Sequence, residues 1–214
     1  MTERRIGLLG GTFDPIHRGH LQPLAGAAVL LGWERILLIL AARQPFKADR
    51  SSASPVHRWA MAAIATIGEQ KIFLSDVELE RGAISYTVDT LEALAEANPG
   101  VALDWVIGDD NLPMLPEWRR IDRILELANF VVLRRSEAEL PEAMKQRVAR
   151  TGEAMPRAGA IIMLDNPEVP VSATAIRQRV RDRQPINDLV DPGVAAYITK
   201  YGLYGEEELR ERFD

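Results

Sequence analysis

The chain has 214 residues, 47% of them hydrophobic and 27% charged, with a formal net charge of -5, the composition of a soluble globular protein whose core needs no covalent staples. It has no cysteine, which excludes disulfides, thiolate nucleophiles and Cys-type zinc sites. No basic excess points to a nucleic-acid partner, no run of about 18 apolar residues is present to span a membrane, and no signal-peptide apolar region opens the chain, so a cytoplasmic protein is expected.

Residues 4–9 are a predicted strand and 21–31 a predicted helix. Between them lies Gly10-Gly11-Thr12-Phe13-Asp14-Pro15-Ile16-His17-Arg18-Gly19-His20. A strand, a Gly-rich turn and a helix start together make an anion site, because the free N–H groups at a helix N-terminus point outward. Gly10 and Gly11 let backbone approach a phosphate. The spacing of His17 and His20 sets both imidazoles on one helix face, and an imidazole can donate to a phosphate oxygen.

The apolar run 34–41 suits a strand covered on both faces. Residues 42–54 form a loop with Arg43, Pro45, Lys47 and Arg50, which composition alone reads as a solvated turn. A helix is expected over 55–68 with a stripe of Val56, Ala60, Ala63, Ile64 and Ile67, leaving Arg58 at the surface. A short strand follows at 71–75. Ser85 is a candidate cap for a helix whose apolar face is Leu91, Leu94 and Ala95. Residues 101–107 form a strand ending in Gly108-Asp109-Asp110-Asn111, a polar turn where ligands of open α/β sheets sit.

One helix is expected over 113–128. It carries Trp118, whose flat face can pack in the core or serve as a platform for a heteroaromatic ring. Then come a strand at 129–133, a polar helix at 137–150 and a strand at 160–164. Ser172 caps a helix reaching about Arg181. There, hydroxyls of Ser172 and Thr174, free N–H groups and Arg177 together suit a second phosphate site. A last helix spans 193–200. Residues 205–214 carry five acids and two arginines and are expected to be a mobile acidic tail. The alternation predicts one domain over 1–204, an α/β Rossmann-like doubly wound parallel sheet.

Four separated segments carry a resemblance. The first resembles the (H/T)xGH signature of the nucleotidylyltransferase superfamily, and in its fuller form the bacterial nicotinate mononucleotide adenylyltransferases. Ile84-Ser85-Tyr86-Thr87-Val88-Asp89-Thr90-Leu91, Leu115-Pro116-Glu117-Trp118 and Val171-Ser172-Ala173-Thr174-Ala175-Ile176-Arg177 are similar to the same branch. The resemblance implies adenylyl transfer from ATP to nicotinate mononucleotide. It implies catalytic roles for His17, His20 and Arg177, and ATP contacts from Gly10, Gly11, Thr12, Phe13, His20, Gly108, Asp110, Ser172, Thr174 and Arg177. It further implies that Lys47, Thr87 and Trp118 meet the pyridine nucleotide. Gln44-Pro45-Phe46-Lys47 departs from the family's Pro-Pro-His-Lys by lacking the histidine. Mg²⁺ is expected to enter bound mainly through ATP phosphates, with no metal held by the protein itself. Other acceptors of the same chemistry are nicotinamide mononucleotide and phosphopantetheine. A nucleotide-binding module without turnover is the reading from another class. The loop lacks the G-x-G-x-x-G spacing of a dinucleotide oxidoreductase.

Overall fold

The computed structural model describes residues 3–42, 53–82, 86–134, 138–149, 155–167 and 169–205. Seven strands form one parallel sheet in the order β3-β2-β1-β4-β5-β7-β6. They are β1 (Arg5–Gly11), β2 (Arg35–Leu40), β3 (Ile72–Ser75), β4 (Ala102–Gly108), β5 (Ala128–Leu133), β6 (Val148–Ala149) and β7 (Ile161–Leu164). The helices are α1 (Arg18–Leu31), α2 (Pro55–Thr66), α3 (Val77–Arg81), α4 (Thr87–Ala97), α5 (Ile121–Leu127), α6 (Ala173–Arg181) and α7 (Pro192–Lys200). This is the expected α/β Rossmann-like architecture. Among the described residues, no helix is long and apolar enough to cross a membrane.

Helices cover both faces of the sheet. Leu38, Val106 and Val131 pack with α1, α2, α6 and α7 on one face. Ile39, Trp105 and Phe130 pack with α4 and α5 on the other. Successive strand residues point to opposite faces, so burial on both faces turns these strands into the continuous apolar runs seen in the sequence.

At the amino end of the central strands lies a buried polar knot. Arg5 Nη1 donates to Asp104 Oδ1 at 2.9 Å, Asn129 Nδ2 donates to the same oxygen at 2.8 Å, and Trp33 Nε1 donates to Oδ2 at 2.7 Å. Gly7 stands opposite Asp104 in the β1–β4 register. A Cβ there would fall 2.4 Å from the Trp33 ring, so the indole reaches Asp104 only because residue 7 lacks a side chain.

Several expectations need correction. The helix expected over 113–128 is instead a 3₁₀ segment, Asp109–Glu117, followed by α5. Pro113 and Pro116 lack the N–H groups that an α-helix would use, and Arg120 sits at φ 55° between the two pieces. The polar helix expected over 137–150 is in its described part a 3₁₀ turn, Glu142–Arg147, leading directly into β6. It has no apolar stripe long enough to sustain a longer helix. Helix α1 begins at Arg18, so His20 lies within its first turn.

The face assigned to α2 also changes. Val56 and Ile67 are exposed, and the helix buries Arg58, Met61, Ala62 and Thr66. Arg58 is therefore an interior residue, because the carbonyl oxygens of Thr12, Ala41 and Ala42 accept from its two Nη atoms. The short α3 and β6 had no periodic signature to announce them. Ser85, Phe46 and Lys47, and the tail from 206 onward, lie outside the described residues.

Candidate active site

A crossover helix runs antiparallel to the strands it joins. The N-termini of α1 and α4 therefore lie at the carboxyl edge of the sheet, the entrance to α6 meets α1 there, and strand order reverses between β1 and β4. That is where open α/β sheets bind ligands.

Strand β1 ends in Gly10 and Gly11, both half-buried. A Cβ on Gly10 would fall 2.8 Å from Trp105, and one on Gly11 would fall 2.9 Å from the Phe13 ring. The turn can close this tightly only with glycines. Thr12 is half-buried. Phe13 takes φ 50° and points its ring into the core, so what it can offer a nucleotide is backbone. Its ring edge meets His20 with centroids 5.2 Å apart.

The two imidazoles stack, with centroids 3.6 Å apart and an interplanar angle of 26°. His17 is buried beneath and His20 is half-buried above. The His17 backbone N–H donates to His20 Nδ1 at 3.2 Å. Nδ1 is thereby an acceptor, so the ring's own N–H is at Nε2. The fold has selected the tautomer that donates away from the backbone.

Helix α6 arrives beside this pair. A Cβ on Gly19 would lie 3.1 Å from the Val171 carbonyl oxygen and 3.0 Å from His17 Nδ1. The first turn of α1 and the entrance to α6 are thus in near contact through a glycine. Ser172 caps α6 by accepting from the Ala175 N–H at 3.2 Å, as its sequence position predicts. Ser172 and Thr174 are exposed and Arg177 is half-buried. Arg177 Nη1 donates to the Asp14 carbonyl oxygen at 2.7 Å, and Nη2 donates to Thr174 Oγ1 at 3.4 Å.

Asp14, a residue of the glycine-turn motif, is a junction. Its Oδ1 accepts from the Tyr204 hydroxyl at 2.7 Å and from the Ala53 N–H at 3.1 Å. Arg177 Nη1 stands 3.9 Å from Oδ2. Nearby, Arg58 Nη1 donates to the carbonyl oxygens of Thr12 at 2.7 Å and Ala41 at 2.9 Å. Burial pushes the Arg58 guanidinium below its ordinary value, and the Asp14 charge opposes that shift. Arg58 thus ties the end of the glycine turn to the end of β2.

A second group of residues sits across the sheet edge. Gly108 ends β4, half-buried, and its carbonyl oxygen accepts from Asn111 Nδ2 at 3.3 Å. Asp109 is buried while Asp110 is exposed, so the paired acids point apart. Thr87 is the first residue of α4. Trp118 is half-buried and meets Phe130 edge-on at 5.7 Å and 81°. Arg119 lies over the Tyr86 ring, 4.4 Å from its centroid. This contact brings Trp118 and Thr87 into one neighbourhood. Trp118 is both supported by the core and partly open.

The cytidylyltransferase-like family model matches residues 8–179. A curated relative from Roseiflexus castenholzii, named "Probable nicotinate-nucleotide adenylyltransferase", is 40% identical, covering 95% of this chain and 100% of its own. One of the same name from Pseudomonas syringae pv. tomato is 39% identical, covering 94% of each chain. The chain belongs to the nicotinate-nucleotide adenylyltransferase family. A solved Plasmodium falciparum nicotinic acid mononucleotide adenylyltransferase, complexed with APC, shares the fold. Its TM-score is 0.73 at 23% identity, covering 94% of this chain and 97% of that one.

In this adenylyltransferase, the residues expected at the site divide into two groups. The loop residues, His17, His20, Ser172, Thr174 and Arg177 converge around Gly19 and Asp14. Gly108, Asp110, Thr87 and Trp118 occupy the β4–α4 side of the same edge. Arg58 and Tyr204 were not anticipated as neighbours of the loop. An arginine on a short helix reads as solvated, and a C-terminal tyrosine carries no local signal of what it will meet.

Proposed function

We propose that the protein transfers the adenylyl group of ATP to nicotinate mononucleotide, giving nicotinate adenine dinucleotide and pyrophosphate. One observation carries the mechanism: the first turns of α1 and α6 meet at Gly19 and Val171, bringing the histidine pair and Arg177 to one carboxyl-edge crevice. A phosphate oxygen of the mononucleotide attacks the α-phosphorus of ATP. The bond from that phosphorus to the bridging oxygen breaks, and pyrophosphate leaves with its electron pair. The attacking phosphate is already an anion near neutral pH, so positioning and charge neutralisation supply the catalysis.

His20 donates through Nε2 to the α-phosphate as charge redistributes, with His17 stacked behind it. Ser172, Thr174, Arg177 and the free N–H groups of α6 hold the β- and γ-phosphates. Gly10, Gly11, Thr12 and the Phe13 backbone line the nucleotide's approach, and Gly108 and Asp110 face its sugar side. Trp118 stacks on the pyridine, and Thr87 with the N-terminus of α4 receives the ring carboxylate, which a helix N-terminus favours over a neutral amide. Lys47 is assigned to the acceptor phosphate by its position in the motif.

The donor set suits Mg²⁺ carried by the triphosphate. Asp14 Oδ1 is already engaged by Tyr204 and Ala53. Among the described residues, no cluster of three His, Asp or Glu side chains could hold a metal. Bound through ATP oxygens and water, the ion would neutralise phosphate charge. ATP as the donor argues for a cytoplasmic site of action.

The test is pyrophosphate release from ATP and Mg²⁺ with nicotinate mononucleotide, nicotinamide mononucleotide and phosphopantetheine in parallel. Release with the first alone is expected. Equal release with both pyridine nucleotides would remove the carboxylate assignment, and release with none would remove the reaction.

A further inference from the structure

The last described turn of the chain returns to the catalytic loop. After α7, Gly202 takes φ 59° and Tyr204 φ 64°. The left-handed region costs glycine little but is disfavoured for a bulky side chain, and such residues persist where their surroundings over-determine them. Here the surroundings are the interior: Tyr204 is 2% exposed and packs with the α1–α2–α7 core. Its hydroxyl donates to Asp14 Oδ1 at 2.7 Å. Burial and the Asp14 charge push the phenol well above its ordinary value, so it stays a neutral donor.

Asp14 in turn holds Arg177, which donates to its carbonyl oxygen at 2.7 Å and stands 3.9 Å from its carboxylate. The residue before Asp14, Phe13, also takes a left-handed φ of 50°. Two bulky residues in disfavoured backbone conformations therefore flank one short chain of contacts: Tyr204 hydroxyl, Asp14 carboxylate, Arg177 guanidinium. A merely structural tyrosine could have buried its ring and left its hydroxyl facing water.

We propose that Tyr204 is a positioning residue for adenylyl transfer: its hydroxyl fixes Asp14, and Asp14 sets the guanidinium of Arg177 for the ATP phosphates. The inference rests on the role given to Arg177 above. Before ATP enters, the Asp14 carbonyl and carboxylate act as the counter-group that aims the guanidinium. Without the Tyr204 bond only the Ala53 N–H holds Oδ1; the carboxylate can turn from Arg177, and the guanidinium, still bonded to the Asp14 carbonyl, loses the charge that aims it.

The experiment is a double-mutant cycle of Tyr204→Phe and Arg177→Ala, with separate kinetics for ATP and nicotinate mononucleotide. Phenylalanine keeps the buried ring. Tyr204→Phe is expected to lower kcat/KM for ATP about tenfold, the size of one hydrogen bond to a charged group. KM for the mononucleotide should stay within about twofold. In the Arg177→Ala background the further loss should be under about twofold, because there is no guanidinium left to aim. Losses that hit both substrates alike, or that persist in full without Arg177, would overturn the proposal and make Tyr204 a packing residue. Normal ATP kinetics in Tyr204→Phe beside a defective Arg177→Ala would overturn it and leave Arg177 in place. Normal kinetics in Arg177→Ala would overturn the phosphate role on which it rests. If Tyr204→Phe does not fold, Asp14→Asn in the same cycle reads the Asp14–Arg177 half of the linkage. It keeps the side-chain acceptor and removes the charge facing Arg177, with the same outcomes expected.

Discussion

At His20 the chemistry depends on one backbone hydrogen bond. The His17 N–H occupies Nδ1, so the proton sits on Nε2, the nitrogen directed away from the helix start. A donor aimed at charge that develops only in the transition state acts on kcat. His20→Ala should lower kcat by roughly two to three orders of magnitude with a smaller change in KM, measured by steady-state pyrophosphate release. A near-unaltered kcat would remove His20 from the catalytic set. Trp118 carries a different expectation. Its edge contact to Phe130 leaves part of the ring open, so Trp118→Ala should raise KM for the pyridine nucleotide and spare KM for ATP. An equal rise for both would mean the indole only packs. The Ser172 cap was legible before any fold was known, and the histidine pair and Arg177, singled out by their motifs, come together at one edge of the sheet. Arg58 was not, because whether an arginine is solvated or buried depends on which carbonyls come to meet it, and those are supplied by residues 12 and 41.

Among the elements, α1 and α6 meet closely at Gly19. A methyl group on Gly19 would press on both the Val171 carbonyl and the His17 ring, and backbone cannot move aside as a flexible side chain can. Gly19→Ala should therefore push the two helix starts apart. The expected result is a fall of at least about tenfold in kcat/KM for ATP, since small misplacements of reacting groups cost this much or more, with cooperative unfolding retained. An alanine variant with unaltered ATP kinetics would show that the helices tolerate a wider gap. Element boundaries were legible where a period or a cap announced them, as at α6 and the central strands. They were misread where proline overrode propensity, as at Pro113 and Pro116. The α2 face was misassigned because its apolar residues lie on more than one side, and only packing against the sheet chooses Met61 and Ala62 over Val56 and Ile67.

For the whole molecule, stability and catalysis occupy opposite ends of the sheet. The Arg5–Asp104 pair is almost fully buried, with side chains 6% and 0% exposed, and Trp33 and Asn129 complete the carboxylate's bonding. Removing one charge from such a pair leaves the other uncompensated, at a cost of about 3–5 kcal/mol. Asp104→Asn should lower the melting temperature by roughly 10 °C for a chain of this size. The kcat of the folded enzyme at 25 °C should stay within about twofold, because the carboxyl-edge site is untouched. A large kcat loss with an unaltered melting temperature would contradict this separation. None of this knot was legible in the sequence: its members come from positions 5, 33, 104 and 129, and no local pattern links them.

The sheet order has a consequence for how the chain is made. β1 lies inside the sheet, with β2 on one side and β4 on the other, but β4 is synthesised about ninety residues later than β1. Until it emerges, a nascent β3-β2-β1 sheet carries along β1 an open edge of unpaired N–H and C=O groups, the kind of edge that recruits other strands. In the same interval Arg5 has no Asp104 to meet. The strand that bears the catalytic loop thus stays open along one edge until the strand on the far side of the ligand site is made.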